Sequence, residues 1–340
     1  MEPVDLIASG TPLLDVRAET EFAKGSFPAA TNLPILDDDE RAQVGTTYRQ
    51  QGSAAAVDFG HTLVSGAVKE ARMQQWLAFM AENPSAHICC WRGGQRSAIT
   101  QAWLAAAGCQ VPRVMGGYKA LRNAALDTLA NAANEKKSWF VLAGKTGSAK
   151  TVLIHALSSS IDLEGLANHR GSAFGARSTP QPAQASFEND LAGIYLRHAH
   201  ETLVLEDESR TIGRVAVPEA WHARMQATPI VLIESELNER VQHIEQEYIT
   251  DAGKDHEQLH HDYRAAASRI QRRLGGKRFQ TLTDLLDDAF ANHRSHQDWI
   301  SYLLTEYYDP MYEYQLANKT QRIQFQGDFA ACQSYLAELS

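Results

Sequence analysis

Trp139-Phe140-Val141-Leu142-Ala143-Gly144-Lys145-Thr146-Gly147-Ser148-Ala149-Lys150-Thr151 is the stretch that decides how this chain folds. An apolar run enters a glycine-bearing turn, and a lysine and a hydroxyl residue then open a helix. That is the strand–loop–helix grammar of a phosphate loop. Gly144, Gly147 and Ser148 supply an anion nest, Lys150 reaches bridging oxygens, and Thr151 can help hold a Mg²⁺. Ala149 stands where the spacing Gly-x4-Gly-Lys-Ser/Thr has its second fixed glycine, and is strained if the position needs a positive φ. Further strands are expected over 202–205 and 229–233. The first runs into Glu206-Asp207-Glu208, which makes Glu206 and Glu208 the acidic, Mg-linked candidates. No residue is assigned as a firm metal ligand. The motif binds a diphosphate group without saying what the diphosphate is attached to.

Working back toward the N-terminus, a second anion nest appears at Cys90-Trp91-Arg92-Gly93-Gly94-Gln95-Arg96-Ser97. Strands are expected over 12–16, 86–90 and 111–115, with helices over 66–82 and 97–107. Strands alternating with helices give a parallel sheet, and ligands collect at the carboxyl ends of such strands, where Cys90 falls. Backbone N–H groups of Arg92, Gly93 and Gly94 and the helix N-terminus converge there, favouring a thiolate and an oxyanion. Arg96 can fork onto two oxygens of a tetrahedral anion. Cys89 points to the opposite strand face and reads as core.

With 340 residues, two domains are expected, at 1–128 and 129–340, joined through a helix over 118–137. The composition is that of a globular protein, without a run long enough to span a membrane. Four scattered cysteines exclude a disulfide framework or a zinc site. The start Met1-Glu2-Pro3-Val4-Asp5 lacks the basic and apolar regions of a signal peptide, so a cytoplasmic location is expected. The net charge of −9 argues mildly against a nucleic-acid partner. Beyond residue 237 the chain reads as mostly helical.

Cysteine phosphatases share the Cys-x5-Arg-Ser/Thr grammar, but the flanks favour another reading. Leu14-Asp15-Val16-Arg17, Glu21-Phe22, Gly25, Phe27-Pro28 and Val114-Met115-Gly116-Gly117-Tyr118 resemble the rhodanese family. Leu163-Glu164-Gly165-Leu166-Ala167-Asn168-His169-Arg170-Gly171-Ser172 is more specific. Joined with Phe187-Glu188-Asn189 and Glu208-Ser209-Arg210-Thr211-Ile212-Gly213, it resembles the bacterial tRNA 2-selenouridine synthases. The resemblance implies an α/β fold: an N-terminal rhodanese-like parallel-sheet domain, then a P-loop NTPase-like α/β domain with a helical C-terminal extension.

It also implies a two-step modification of wobble 2-thiouridine in tRNA. S-geranylation by geranyl diphosphate comes first, and selenium from selenophosphate then replaces the geranylated sulfur. Cys90 matches the catalytic cysteine, expected to form a selanyl-cysteine. No tightly bound cofactor is expected. The partners implied are tRNA and selenophosphate with its synthase, and no membrane. His169 and Arg170, in a glycine-flanked loop, are expected in the active site. Arg272, Arg273, Lys277 and Arg278 form a candidate tRNA patch. The competing reading is an ATP-using P-loop kinase or nucleotidase fused to a rhodanese sulfurtransferase; a non-catalytic anion sensor is more distant.

Overall fold

The computed structural model describes residues 1–253 and 255–339. It divides into two compact units, Met1–Asn131 with Ala183–Arg197, and Ala132–Pro182 with His198–Ser340.

In the first unit, β1 (Leu13–Asp15), β2 (Ala30–Asn32) and β3 (His87–Cys89) form a parallel sheet in the order β2-β1-β3. Leu13 pairs with Ala30 on one side and with His87 on the other. All three residues of β1 are buried, as expected for a central parallel strand covered on both faces. Leu14, Ile35, Trp76, Ile88, Leu104 and Val111 make the core.

The strand expected over 111–115 shrinks to one bridge, between Ile88 and Arg113. Pro112 can only accept there, taking the Ile88 N–H at 2.9 Å. The positive-φ pair Gly116-Gly117 then turns the chain into the helix Gly117–Ala132. An unanticipated helix, Asp38–Leu63, is kinked at Gly52 (φ 87°) and buries only Ala56 fully. So little burial leaves no apolar periodicity to read.

A single cut near 128/129 does not describe the units, because the helix Gln184–Arg197 belongs with the first. Asn189, fully buried, is the reason: its Nδ2 donates to Ser26 O at 2.9 Å and to the Tyr118 hydroxyl at 3.3 Å. Arg122 donates to Asn189 Oδ1 at 3.0 Å and pairs with Glu188.

The second unit holds β4 (Ser138–Gly144) and β5 (Thr202–Glu206), the short antiparallel pair β6 (Thr211–Ile212) and β7 (Val215–Ala216), then β8 (Ile230–Ile233) and β9 (Ile323–Gly327). Its main sheet is parallel, in the order β5-β4-β8-β9. Between β8 and β9 lies a helical block, including His256–Leu274 and Gly276–Phe290, packed around Tyr263, Leu282, Leu286 and Trp299. The chain beyond residue 237 is mostly helical, as expected, and returns to the sheet once, at β9. That strand sits at the edge and alternates half-buried Ile323 and Phe325 with exposed Gln324 and Gln326, a weak signal in sequence.

Candidate functional site: a cysteine loop and a phosphate loop

Cys90 follows β3 directly, 3% exposed, with Sγ 3.2 Å from the buried Ser97 Oγ. Its loop is clamped onto the Gly116-Gly117 turn. Tyr118 N–H donates to Cys90 O at 2.8 Å and Lys119 N–H to Trp91 O at 3.0 Å. A Cβ on Gly117 would sit 2.1 Å from Cys90 O and 2.4 Å from Gly93 N, so only glycine lets the two turns meet. Gly93 itself has φ +65° and lies against Val114 O. Arg92 and Gly94 are exposed. Cys89 is 1% exposed, and burial pushes its thiol well up, with the Asp15 charge adding to it. It is a core thiol.

The opening motif is tied to this loop by Arg17, which is fully buried. Its guanidinium grips Asp15 at 2.7 Å, donates to Gly25 O at 2.9 Å and lies 3.9 Å from the Tyr118 ring centroid. Arg96 differs from expectation. Its fork engages the Glu21 carboxylate, at 2.5 and 3.1 Å, rather than facing open space. Against a burial that would raise it, Arg96 and Arg41 hold the Glu21 carboxyl below its usual range.

In the second unit, β4 delivers Gly144 to the phosphate loop and Lys150 opens the helix Lys150–Ala156. Lys150 Nζ donates to Gly144 O at 2.8 Å, folded over the loop it would share with an anion. Ser148 Oγ is buried without a hydrogen-bond partner among the described residues. Ala149 has φ 59° and ψ 28°, so the position does demand the left-handed conformation. From behind, buried Arg240 donates to Thr146 O at 3.2 Å and pairs with Asp309 at 2.7 Å.

The cavity over this loop measures about 250 Å³. Arg170 lines it, pinned to Glu247 at 2.6 Å and 4.6 Å from the Tyr248 ring centroid. His169 does not line it, and burial lowers its pKa, with Arg269, Arg170 and Arg177 contributing. Glu206 also lies outside it, 1% exposed and accepting from Leu163 N–H at 3.0 Å. Burial, with Asp162 and Glu164 nearby, pushes its carboxyl well above the usual range.

Four carboxylates line the cavity: Asp207, paired with Lys319 at 2.8 Å, Glu247, paired with Arg170, and Glu208 and Glu164. Glu164 accepts from the Thr151 hydroxyl at 3.3 Å, and burial raises the Glu164 and Glu208 carboxyls. A Cβ on Gly171 (φ +64°) would lie 2.8 Å from oxygens of both, which explains that glycine. Among the described residues, no group of three or more His, Cys, Asp or Glu side chains is arranged to hold a metal ion by itself. A Mg²⁺ that keeps waters and phosphate oxygens needs only one or two carboxylates, and Thr151, Glu164 and Glu208 fit that need.

Residues 137–340 match the family described as the tRNA 2-selenouridine synthase AAA domain. A tRNA 2-selenouridine synthase from Hahella chejuensis is 46% identical, over 99% of this chain and 94% of that protein. Those from Sulfurovum sp. and Shewanella loihica are 42% and 44% identical, over 98% of this chain and 96% and 94% of theirs. The chain belongs to the tRNA 2-selenouridine synthase family.

For this family member, sequence reasoning passed over Glu164 as a loop-facing acid, Arg240 and Asp309 as supports, and Glu21 as the partner of Arg96. The rare string 163–172 contained Glu164, but nothing in it says which carboxylate turns toward Thr151. Arg272, Arg273, Lys277 and Arg278 are all exposed where the helices His256–Leu274 and Gly276–Phe290 meet, and Arg278 pairs with Glu306 at 2.8 Å. The left-handed Ala149 carries a testable cost. Central values of about 1.5 kcal/mol for the strain and about 0.75 kcal/mol for the flexibility of an added glycine leave a net gain of about 0.75 kcal/mol for Ala149→Gly. Denaturant unfolding measures it, and an unchanged midpoint would refute the strain.

Proposed function

We infer that this chain converts the wobble 2-thiouridine of tRNA to 2-selenouridine in two steps. The 2-thio sulfur first attacks C1 of geranyl diphosphate; the S–C bond forms as the C–O bond breaks, and diphosphate leaves. The selenium of selenophosphate then bonds to C2 of the base as the C2–S bond breaks and geranyl thiol departs, and water splits the Se–P bond to release phosphate, with Cys90 as the catalytic thiol of this step. The first unit is read as rhodanese-like, on the strength of its parallel β2-β1-β3 order with Cys90 at the end of the central-neighbour strand. Selenophosphate synthase is the implied donor source, and a cytoplasmic setting suits a reactive thiol. No described helix is long and apolar enough to cross a membrane.

One observation carries the isoprenoid step: the wall of the phosphate-loop cavity. Beside Lys150 and Thr151 it presents Ile244, Tyr248, Tyr308, Met311 and Tyr312. Tyr248 and Tyr308 come from two π-helical segments, Gln246–Thr250 and Leu304–Tyr308, a local widening that recurs at functional sites. These side chains give a cavity otherwise lined by charged and polar groups an apolar and aromatic portion beside the diphosphate nest, which suits a hydrocarbon tail. Lys150 would steady the leaving diphosphate, and Mg²⁺ between Thr151, Glu164 and Glu208 would add charge neutralisation.

Met311→Ala should raise KM for geranyl diphosphate roughly 4- to 15-fold, at about 0.8 kcal/mol for each of one or two methylenes of lost contact. Inhibition by inorganic diphosphate should not change. Equal weakening of both would place the tail elsewhere. Mass analysis of tRNA nucleosides from cells with and without the protein tests the reaction as a whole. Robust tRNA-stimulated ATP turnover without an isoprenoid requirement would favour the kinase-like alternative.

A further inference from the structure

We propose that the cleft over Cys90 receives the single-stranded nucleotide being modified, with Trp91 as its stacking platform and Lys24, Arg41, Arg49 and Arg92 as phosphate contacts. This deepens the tRNA reading above and rests on it. The cleft measures about 1030 Å³, far more than a tetrahedral anion fills. The chain carries a net charge of −9, yet these four cations and Arg96 line the cleft against one carboxylate, Glu21. A local reversal of charge of this kind is the footprint of a polyanion.

Trp91 supplies what charge alone lacks. It adjoins Cys90, and its ring stacks on Tyr118 with centroids 5.5 Å apart and planes 25° apart. Held from that side, the residue is still 40% exposed, whereas Trp76, Trp221 and Trp299 are at most 1% exposed. Tyr48 lines the same cleft and is 59% exposed. An aromatic ring braced on one side and open to solvent suits a base that has left its stack. The basic residues 272–278 carry no exposed aromatic side chain, so that patch can contact phosphates but not present a base.

The test uses the full-length protein and an anticodon stem-loop RNA bearing 2-thiouridine, with affinity and tryptophan fluorescence followed at several salt concentrations. Wild type should bind with quenching. Trp91→Ala should bind roughly 5- to 150-fold more weakly, the range for one stacked base, while Trp91→Phe keeps most of the affinity without that quenching. Arg41→Ala with Arg49→Ala should make the slope of log K against log salt shallower by about 1.4, at about 0.7 per lost contact with a single strand. Circular dichroism checks that each variant is folded. Wild-type affinity in folded Trp91→Ala, or an unchanged slope in the arginine variant, overturns the proposal. A wild-type protein that neither binds the RNA nor forms 2-selenouridine overturns the tRNA reading itself.

Discussion

Cys90→Ser should lose 2-selenouridine formation by at least about 10³-fold, the order seen when a nucleophile is removed, while S-geranyl-2-thiouridine accumulates. Serine fits the space: the position is 3% exposed and its neighbour across the turn is the Ser97 hydroxyl. A hydroxyl lacks the nucleophilicity of a thiol, so the loss is chemical rather than structural. On the proposed mechanism, alkylation would draw on the phosphate loop and leave Cys90 idle, because the charge that develops there is on the departing diphosphate. Cys89→Ser is the matched control. That thiol is pushed well up by burial and belongs to the core, so most activity should remain. Nucleoside analysis of tRNA incubated with geranyl diphosphate and selenophosphate gives the answer. Normal selenation by Cys90→Ser would remove the cysteine from the mechanism. A variant that binds tRNA normally yet forms no geranylated product would refute the division of labour between the loops.

Lys150→Ala should stop the reaction one step earlier, leaving plain 2-thiouridine. Its Nζ sits over the loop, 2.8 Å from Gly144 O, and is the charge best placed to follow a diphosphate as it leaves. Removing one preorganised donor to developing charge costs about 10²–10³ in rate. The loss should fall on kcat for geranylation, because the interaction strengthens as the C–O bond breaks. Supplying tRNA already geranylated should restore selenium incorporation to Lys150→Ala, since Cys90 and its loop are untouched. Failure of that rescue, with tRNA affinity at fixed salt unchanged, would show that Lys150 also serves the second step.

Much of this architecture was legible beforehand because it is written in local signals. An apolar run ending in Gly144 needs only its neighbours to become a strand and a turn. Cys90 lies at a strand end for the same reason. The strained Ala149 could be anticipated from the spacing and is borne out by its φ of 59°. The long helix Asp38–Leu63 was not legible, because an element that buries little leaves little periodicity, and the alternation of the edge strand β9 spans only Ile323 to Gln326.

By itself, the sequence determined the two anion-binding loops, their order, the parallel α/β character of the chain and its family. Tertiary structure alone decided which groups those loops meet. Glu206 ends the edge strand β5 and is sealed away from the phosphate-loop cavity, while Glu164 and Glu208 line it beside Thr151 and Lys150. Arg96 reaches across 75 positions to Glu21, and Asn189 draws a helix from the midst of the second unit's sequence into the first unit. The physical reason is common to all of these. Backbone propensity and apolar spacing record whether a residue is buried, but the partner of a buried charge or amide is chosen by packing between segments far apart in the chain, and no local pattern encodes that choice.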